Sequence, residues 1–237
     1  MKTFGKKHVL TTEQKRLDVN LWIIALASML VYSIYAVIGR DLMAFCKDSS
    51  ISVWPRLFAS AAIEYGVAGF GITLVCLLRR ESFASYGLKK ENALKAVVGA
   101  VICFMPFIVF KMVSGQFEGY KPLSVMVTDD LHKAGIITTI IGTLIIGLVW
   151  GFFEGFNYAV IAEIISRRHP VENKFFDWGV LVAAIMGILF HPIHFDKLGI
   201  IDLFVTFIAL YGMLIVRKRT GNSWGCVFAF IFIWNAF

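Results

Sequence analysis

Charged residues are scarce in this 237-residue chain, where Asp, Glu, Lys and Arg together make up 16% of the sequence. A soluble domain usually carries about 25% of these residues. Apolar residues reach 58%, and they recur in runs of about 18 residues or more. The low charge and the long runs exclude an ordinary soluble enzyme. They predict an all-α, polytopic transmembrane helical bundle.

Cysteine motifs and internal repeats are also missing. The chain has four cysteines but no CxxC pair, and three of them lie in apolar runs, where a small hydrophobic role is expected. This pattern excludes a disulfide framework and a thiolate zinc site. The cysteines are Cys46, Cys76, Cys103 and Cys226.

The formal net charge of +7 does not indicate a nucleic-acid partner. The basic residues lie in short clusters between apolar runs, which is how Lys and Arg fix membrane topology. These clusters occur in the N-terminal segment, between the second and third runs, between the fourth and fifth, and before the last. Their alternation predicts a cytoplasmic N-terminus and an external C-terminus.

Seven apolar runs can be drawn as transmembrane spans, and an eighth, re-entrant or split segment stays open. Residues 1–20 are predicted to form a cytoplasmic tail and residues 21–237 a single transmembrane domain. The first run is too long for a signal-peptide core, so it is expected to be retained. The predicted spans are Leu21–Ile38, Leu57–Leu78, Ala96–Val113, Ile136–Ile165, Gly179–Phe195, Ile200–Val216 and Trp224–Phe237.

Four polar residues on three predicted spans fall at similar depths. At a rise of about 1.5 Å per residue from the cytoplasmic ends, Glu154 lies about 20 Å deep and His191 about 21 Å. By the same rise, Asn235 lies about 24 Å deep and His194 about 25 Å. Polar groups within spans usually face the bundle interior or water, so the pattern predicts one internal cavity.

Two further groups of residues belong to this layer. Asn157 and Tyr158 follow Glu154 at i+3 and i+4, so they share its helix face and can support the carboxylate. A polar seam between helices is the structural alternative. Glu64 and Lys111 have similar depths and are predicted to form a structural ion pair, because buried charges are usually paired.

These residue types suit the activation of water. A poorly solvated carboxylate can act as general base, and an imidazole and an amide can stabilise an oxyanion. Glu154, His191 or His194, and Asn235 fill these roles. A divalent metal such as zinc, bound by His191, His194 and Glu154, is a lower-ranked alternative, because His-Pro-x-His lacks the i, i+4 spacing of HExxH.

The order of these residues resembles the CPBP family of CAAX prenyl proteases and bacteriocin-immunity proteins. The family pattern is EExxxR, then FxxxH, then HxxxN. Glu154 resembles the first Glu, Phe190 to His194 reads as FxxxH, and Asn235 resembles the final Asn. The segment from Ser85 to Lys95 resembles the loop before the third span. The resemblance implies an intramembrane peptide hydrolase in the cell membrane of a prokaryote, with a membrane-associated peptide or protein as substrate.

The chain departs from this pattern at three positions. Gly155 replaces the second Glu, Ala159 the Arg, and Ile231 the His of the third motif. A competing register places Ala162-Glu163 and Arg167 on EExxxR, but an i, i+4 surface ion pair explains Glu163 and Arg167 adequately, so the register with Glu154 is preferred. Two alternatives to a protease therefore stay open: a catalytically degenerate member acting in binding or immunity, and a small transporter. The missing internal repeat weakens the second.

Overall fold

The computed structural model describes residues 10–190 and 193–237, and this part of the chain is helical, without a β-strand. The prediction of an all-α protein is thus confirmed. A short 3₁₀ helix, Phe83–Tyr86, separates the second and third helices. Helices α1 to α8 comprise Thr12–Lys47, Val53–Arg79, Ala93–Val113, Thr128–Lys133, Ile136–Arg168, Trp178–Leu189, Lys197–Thr220 and Trp224–Trp234.

Five of these helices are long and apolar enough to cross a membrane, namely α1, α2, α3, α5 and α7. The fifth and seventh predicted spans form the shorter apolar helices α6 and α8. Helix α6 has 12 residues, so it is about 18 Å long against a hydrocarbon core of about 30 Å. The helix lengths indicate an integral membrane protein with five candidate spans, fewer than the predicted seven to eight.

Helix α1 begins earlier than the sequence predicts. The Thr11 hydroxyl accepts the Gln14 N–H at 3.1 Å, and the Gln14 side chain accepts the Thr11 N–H at 3.0 Å. This reciprocal capping box starts a helix of 36 residues. Residues 12–20, predicted to belong to the tail, are therefore its first turns.

The bundle has a densely packed side. Helix α3 packs against α7 and α8, while the second half of α5 packs against α6. Large side chains from four of these helices are fully buried at the centre: Phe104, Phe156, Met213 and Phe230. Helix α1 instead packs along α2 and α5, and only 11% of its apolar window is buried. The less tightly covered side of the bundle is thus the α1 side.

Charged residues from all four basic segments meet at one end of the bundle. Arg217, which is buried, also donates to the Tyr86 carbonyl oxygen and to the Ser223 hydroxyl, both at 3.3 Å. These contacts bring the four basic segments together at one end of the bundle. The sequence predicts that all four lie on the same side of the membrane, and their proximity agrees with that prediction. The ion pairs are Glu13–Arg167, Arg16–Glu81, Asp18–Arg168, Glu163–Arg217 and Asp177–Lys218.

One predicted surface pair is wrong in its partners. Glu163 and Arg167 have the i, i+4 spacing of an ion pair on one helix. In the structure Glu163 binds Arg217 of α7, while Arg167 binds Glu13 of α1. Partners on neighbouring helices compete for both side chains, and helical spacing alone cannot reveal those partners.

Asp177 makes the stability of this end depend on pH. It caps α6 through the Val180 N–H and accepts from Ser166 and from Lys218, the latter at 2.7 Å. Burial by itself raises the pKa of Asp177, but the hydrogen bonds from Lys218 and Ser166 outweigh it and hold the pKa below its ordinary value. Because the folded pKa is lowered, this contribution is present above the unfolded pKa of about 3.9 and is lost as pH falls through the folded value.

We therefore expect Asp177→Asn to lower the Tm of the detergent-solubilised protein at pH 7. Asparagine keeps a capping oxygen but loses the charge that binds Lys218. The difference in Tm from the wild type should shrink as pH falls below about 3.9 and through the lowered pKa of folded Asp177. Thermal unfolding measured at pH 7 and again at a pH below the lowered pKa of Asp177 checks this. A difference in Tm that does not change with pH would contradict it.

Three helices contain a π-helical segment. These segments are Gly66–Phe70 in α2, Gly147–Phe153 in α5 and Phe230–Trp234 in α8. The α5 segment contacts both others. Single π turns widen a helix and are frequent at functional sites. Glu64 lies two residues before the first, Glu154 directly after the second and Asn235 directly after the third.

Candidate functional site: two separate cavities

The larger cavity, of about 580 Å³, lies between α1, α2 and α5. Its lining residues on α1 run from Leu21 to Cys46. These residues are 25 positions apart, so the cavity extends about 38 Å along that helix. Most of its wall is apolar, and we call it the α1 groove. Its length and its apolar wall suit an extended apolar molecule.

Glu154, Asn157 and Tyr158 all line the α1 groove, as their helical spacing predicts. The three side chains are buried, with 7%, 6% and 4% of their surfaces exposed. The Tyr158 ring packs against Phe230 at 5.4 Å between centroids, which fixes its position. The Asn157 Oδ1 atom is buried and has no hydrogen-bond donor within the described residues. A carboxylate and an available amide thus share one face of α5.

Glu64 also lines the α1 groove, and this corrects the predicted Glu64–Lys111 pair. Lys111 instead binds Asp202 of α7 at 3.0 Å and Gln116 at 2.8 Å. The depths of Glu64 and Lys111 are similar, but depth says nothing about the direction in which a helix face points. Helix α3 packs on α7, so Lys111 meets the carboxylate of that helix.

His194 and Asn235 line a second, smaller cavity of about 210 Å³. Lys111 and Asp202 line it too, and we call it the α7 cavity. The structure therefore does not bring Glu154 together with His194 and Asn235 in one cavity, as the sequence predicts, because the last two residues line the α7 cavity. His191 lies outside the described residues, so its predicted role is not tested.

The predicted metal site has no support in the described residues. Within residues 10–190 and 193–237, no three His, Cys, Asp or Glu side chains come together as metal ligands. Glu154 and His194 line different cavities. The proposed third ligand, His191, is outside the described part of the chain.

The positions that depart from the CPBP pattern are packed between helices. A methyl group added at Gly155 would lie 2.7 Å from the Cys226 carbonyl oxygen of α8. Ala159 has no exposed surface. Ile231 packs its side chain against Gly151. The seam between α5 and α8 is closed where the family pattern would place a carboxylate and a guanidinium.

Two polar residues of these sites were not singled out by sequence reasoning. Asp202 is a lone carboxylate two residues into the sixth predicted span. A single charged residue in an apolar run could have marked it as a candidate partner for a buried cation. Arg56, just before the second predicted span, is buried and binds Asp130 at 2.8 Å and the Cys46 carbonyl oxygen at 3.1 Å. These contacts hold the ends of α1, α2 and α4 together near one end of the α1 groove.

Comparison with known proteins gave no independent assignment. No protein-family model, curated protein or solved structure matches the chain. The geometry of the two cavities is therefore the basis for assigning a function.

Proposed function

We propose that the protein is a divergent CPBP-type intramembrane hydrolase that cleaves a peptide bond in a membrane-associated substrate bound in the α1 groove. The observation that carries the proposal is the placement of Glu154, which is buried beside Asn157 and Tyr158 in the wall of this groove. We propose a location in the cell membrane of a prokaryote, with the N-terminus cytoplasmic. In this proposal the five long helices cross the membrane, and the shorter helices α6 and α8 enter it only part of the way, which gives seven apolar segments in all.

Glu154 is the general base of the proposed reaction. It removes a proton from water as the water oxygen attacks the scissile carbonyl carbon. The carbonyl oxygen becomes an oxyanion, which the Asn157 amide and the Tyr158 hydroxyl can stabilise as hydrogen-bond donors. The proton then passes from Glu154 to the leaving amine as the C–N bond breaks. Asn235 and His194 take no part, because they line the α7 cavity.

The α1 groove is also suited to admitting a substrate from the bilayer. Its outer wall is α1, the least buried of the five candidate spans. The groove reaches from Leu21 to Cys46, so a substrate in extended form could pass Glu154 with apolar wall on either side. A peptide in this position avoids water except near the polar residues, which favours chemistry at that point.

Binding without hydrolysis is the second candidate function. The packing at Gly155 and Ala159 supports it, because these positions leave no room for the second Glu and the Arg of the CPBP pattern. In this reading the α1 groove holds a peptide, a lipid or a partner protein, as an immunity or scaffold protein would. The fold alone does not decide between the two.

Cleavage by purified protein separates the two functions. The protein is reconstituted in nanodiscs with a library of membrane-anchored peptides, and mass spectrometry detects the products. Reaction in H₂¹⁸O should place one ¹⁸O atom in each new carboxyl group. Peptides that bind and stay intact throughout would reject the hydrolase and leave the binding protein.

A further inference from the structure

Glu64 is a second carboxylate in the α1 groove, and the proposed reaction does not use it. It lies on α2, across from the α5 wall that carries Glu154. Its only candidate cation from the sequence, Lys111, is bound to Asp202 in the α7 cavity. Within the described residues, Glu64 has no hydrogen-bond or ion-pair partner. A carboxylate at this depth is costly unless something compensates its charge.

The described wall of the groove carries carboxylates and no matching cation. Glu64 and Glu154 are its charged residues, and no Lys or Arg is among them. The Asn157 Oδ1 atom is buried without a donor. The two wall serines already donate to backbone: Ser28 to the Val67 carbonyl oxygen at 2.6 Å, and Ser60 to the carbonyl oxygens of Arg56 and Leu57.

This chemistry fits an occupant that brings both positive charge and N–H donors. An ammonium or guanidinium group would compensate the carboxylate charge and supply a donor to Asn157. The surrounding apolar wall requires apolar groups on both sides of that cation. Tyr32 and Tyr35 of α1 also line the groove and offer aromatic faces to a cation.

We propose that Glu64 selects substrates: the α1 groove binds a membrane-inserted peptide segment in which a Lys or Arg, flanked by apolar residues, binds Glu64. The inference rests on the proposed function, since it names the substrate class of the same groove. Glu64 is a specificity residue in this account, and Glu154 remains the base.

The test measures binding separately from cleavage. Two fluorescent single-span peptides, identical except for Lys or norleucine at the central position, are titrated against the full-length protein in nanodiscs. The wild-type protein should bind the Lys peptide at least about tenfold more tightly, equivalent to about 1.4 kcal/mol. Glu64→Gln should abolish this preference. Asp129→Asn, which neutralises an exposed carboxylate of α4 outside the groove, is the matched control and should keep it.

Several outcomes would overturn the inference. These are equal binding of the two peptides, a preference that survives Glu64→Gln, and a preference that disappears when EDTA removes divalent cations. Dodecylamine that binds where the Lys peptide does not would also overturn it, by assigning the site to an amphiphilic amine. A Lys preference without cleavage would reject the hydrolase alone, whereas cleavage without the preference would reject the selection alone.

Discussion

If the protein is the proposed hydrolase, we expect Glu154→Gln to lower kcat for peptide-bond cleavage by about a hundredfold or more, the lower range for loss of a general base. Glutamine has nearly the same shape and still lines the α1 groove, but it cannot accept the proton of the attacking water. Because the substrate contacts are kept, KM should change little. Initial rates on a cleaved membrane-anchored peptide, measured with wild type and variant in the same nanodiscs, give both constants.

The control for Glu154→Gln lies in the other cavity. Asn235→Ala removes an amide that the sequence places in the catalytic group but that the structure places beside His194 and Lys111. We expect this variant to keep its rate within about twofold, since the residue does not touch the α1 groove. A rate loss at Asn235 as large as the loss at Glu154 would mean that the two cavities form one site.

Gly155→Ala destabilises the protein strongly, although alanine normally favours a helix by about 0.5–1 kcal/mol over glycine. The added methyl group would lie 2.7 Å from the Cys226 carbonyl oxygen and 3.1 Å from the Phe230 Cβ atom. The oxygen belongs to the backbone of α8 and cannot rotate away, so α5 and α8 must separate. We expect a loss of about 1–3 kcal/mol, typical of overpacking.

Gly147→Ala is the matched control, in the π-helical segment of the same helix. Its methyl group would meet only the Leu123 side chain, at 3.6 Å. We expect this variant to be at least as stable as the wild type. Unfolding in a denaturing detergent, followed by circular dichroism, compares the two. Equal stability of Gly155→Ala and Gly147→Ala would show that α5 and α8 do not pack as described.

The packing at Gly155 also excludes the second Glu of the CPBP pattern at this position. Gly155→Glu would place a carboxylate against a backbone carbonyl oxygen in a closed seam, at a cost well above that of alanine. The close packing of α5 on α8 thus requires a small residue at position 155. A second carboxylate reaches the groove from α2 instead, through Glu64.

The sequence predicted the helical class and the apolar segments well, because composition and run length depend on the bilayer rather than on packing. It also predicted that Asn157 and Tyr158 share a face with Glu154, since helical spacing is local. Span number was less accurate, because α6 and α8 are apolar throughout yet too short to cross a membrane.

The site itself was only partly predictable, for a geometric reason. Depth along a helix follows from residue number, and Glu64, Lys111, Glu154 and Asn235 were placed in one layer on that basis. The direction in which each side chain points depends on which helices pack together. Lys111 binds Asp202 of α7. Glu64 therefore does not pair with Lys111 and lines the α1 groove instead. No local pattern encodes that choice.

One measurement tests the claim on which both the reaction and the substrate selection depend, that Glu64 and Glu154 face a single groove away from Lys111. Cysteines are placed in pairs in a cysteine-free background, with Glu64→Cys combined either with Glu154→Cys or with Lys111→Cys. A short bifunctional maleimide is added, and mass spectrometry identifies the linked peptides. We predict linkage of 64 to 154 and none of 64 to 111. Linkage of 64 to 111, with 154 unlinked, would contradict the account.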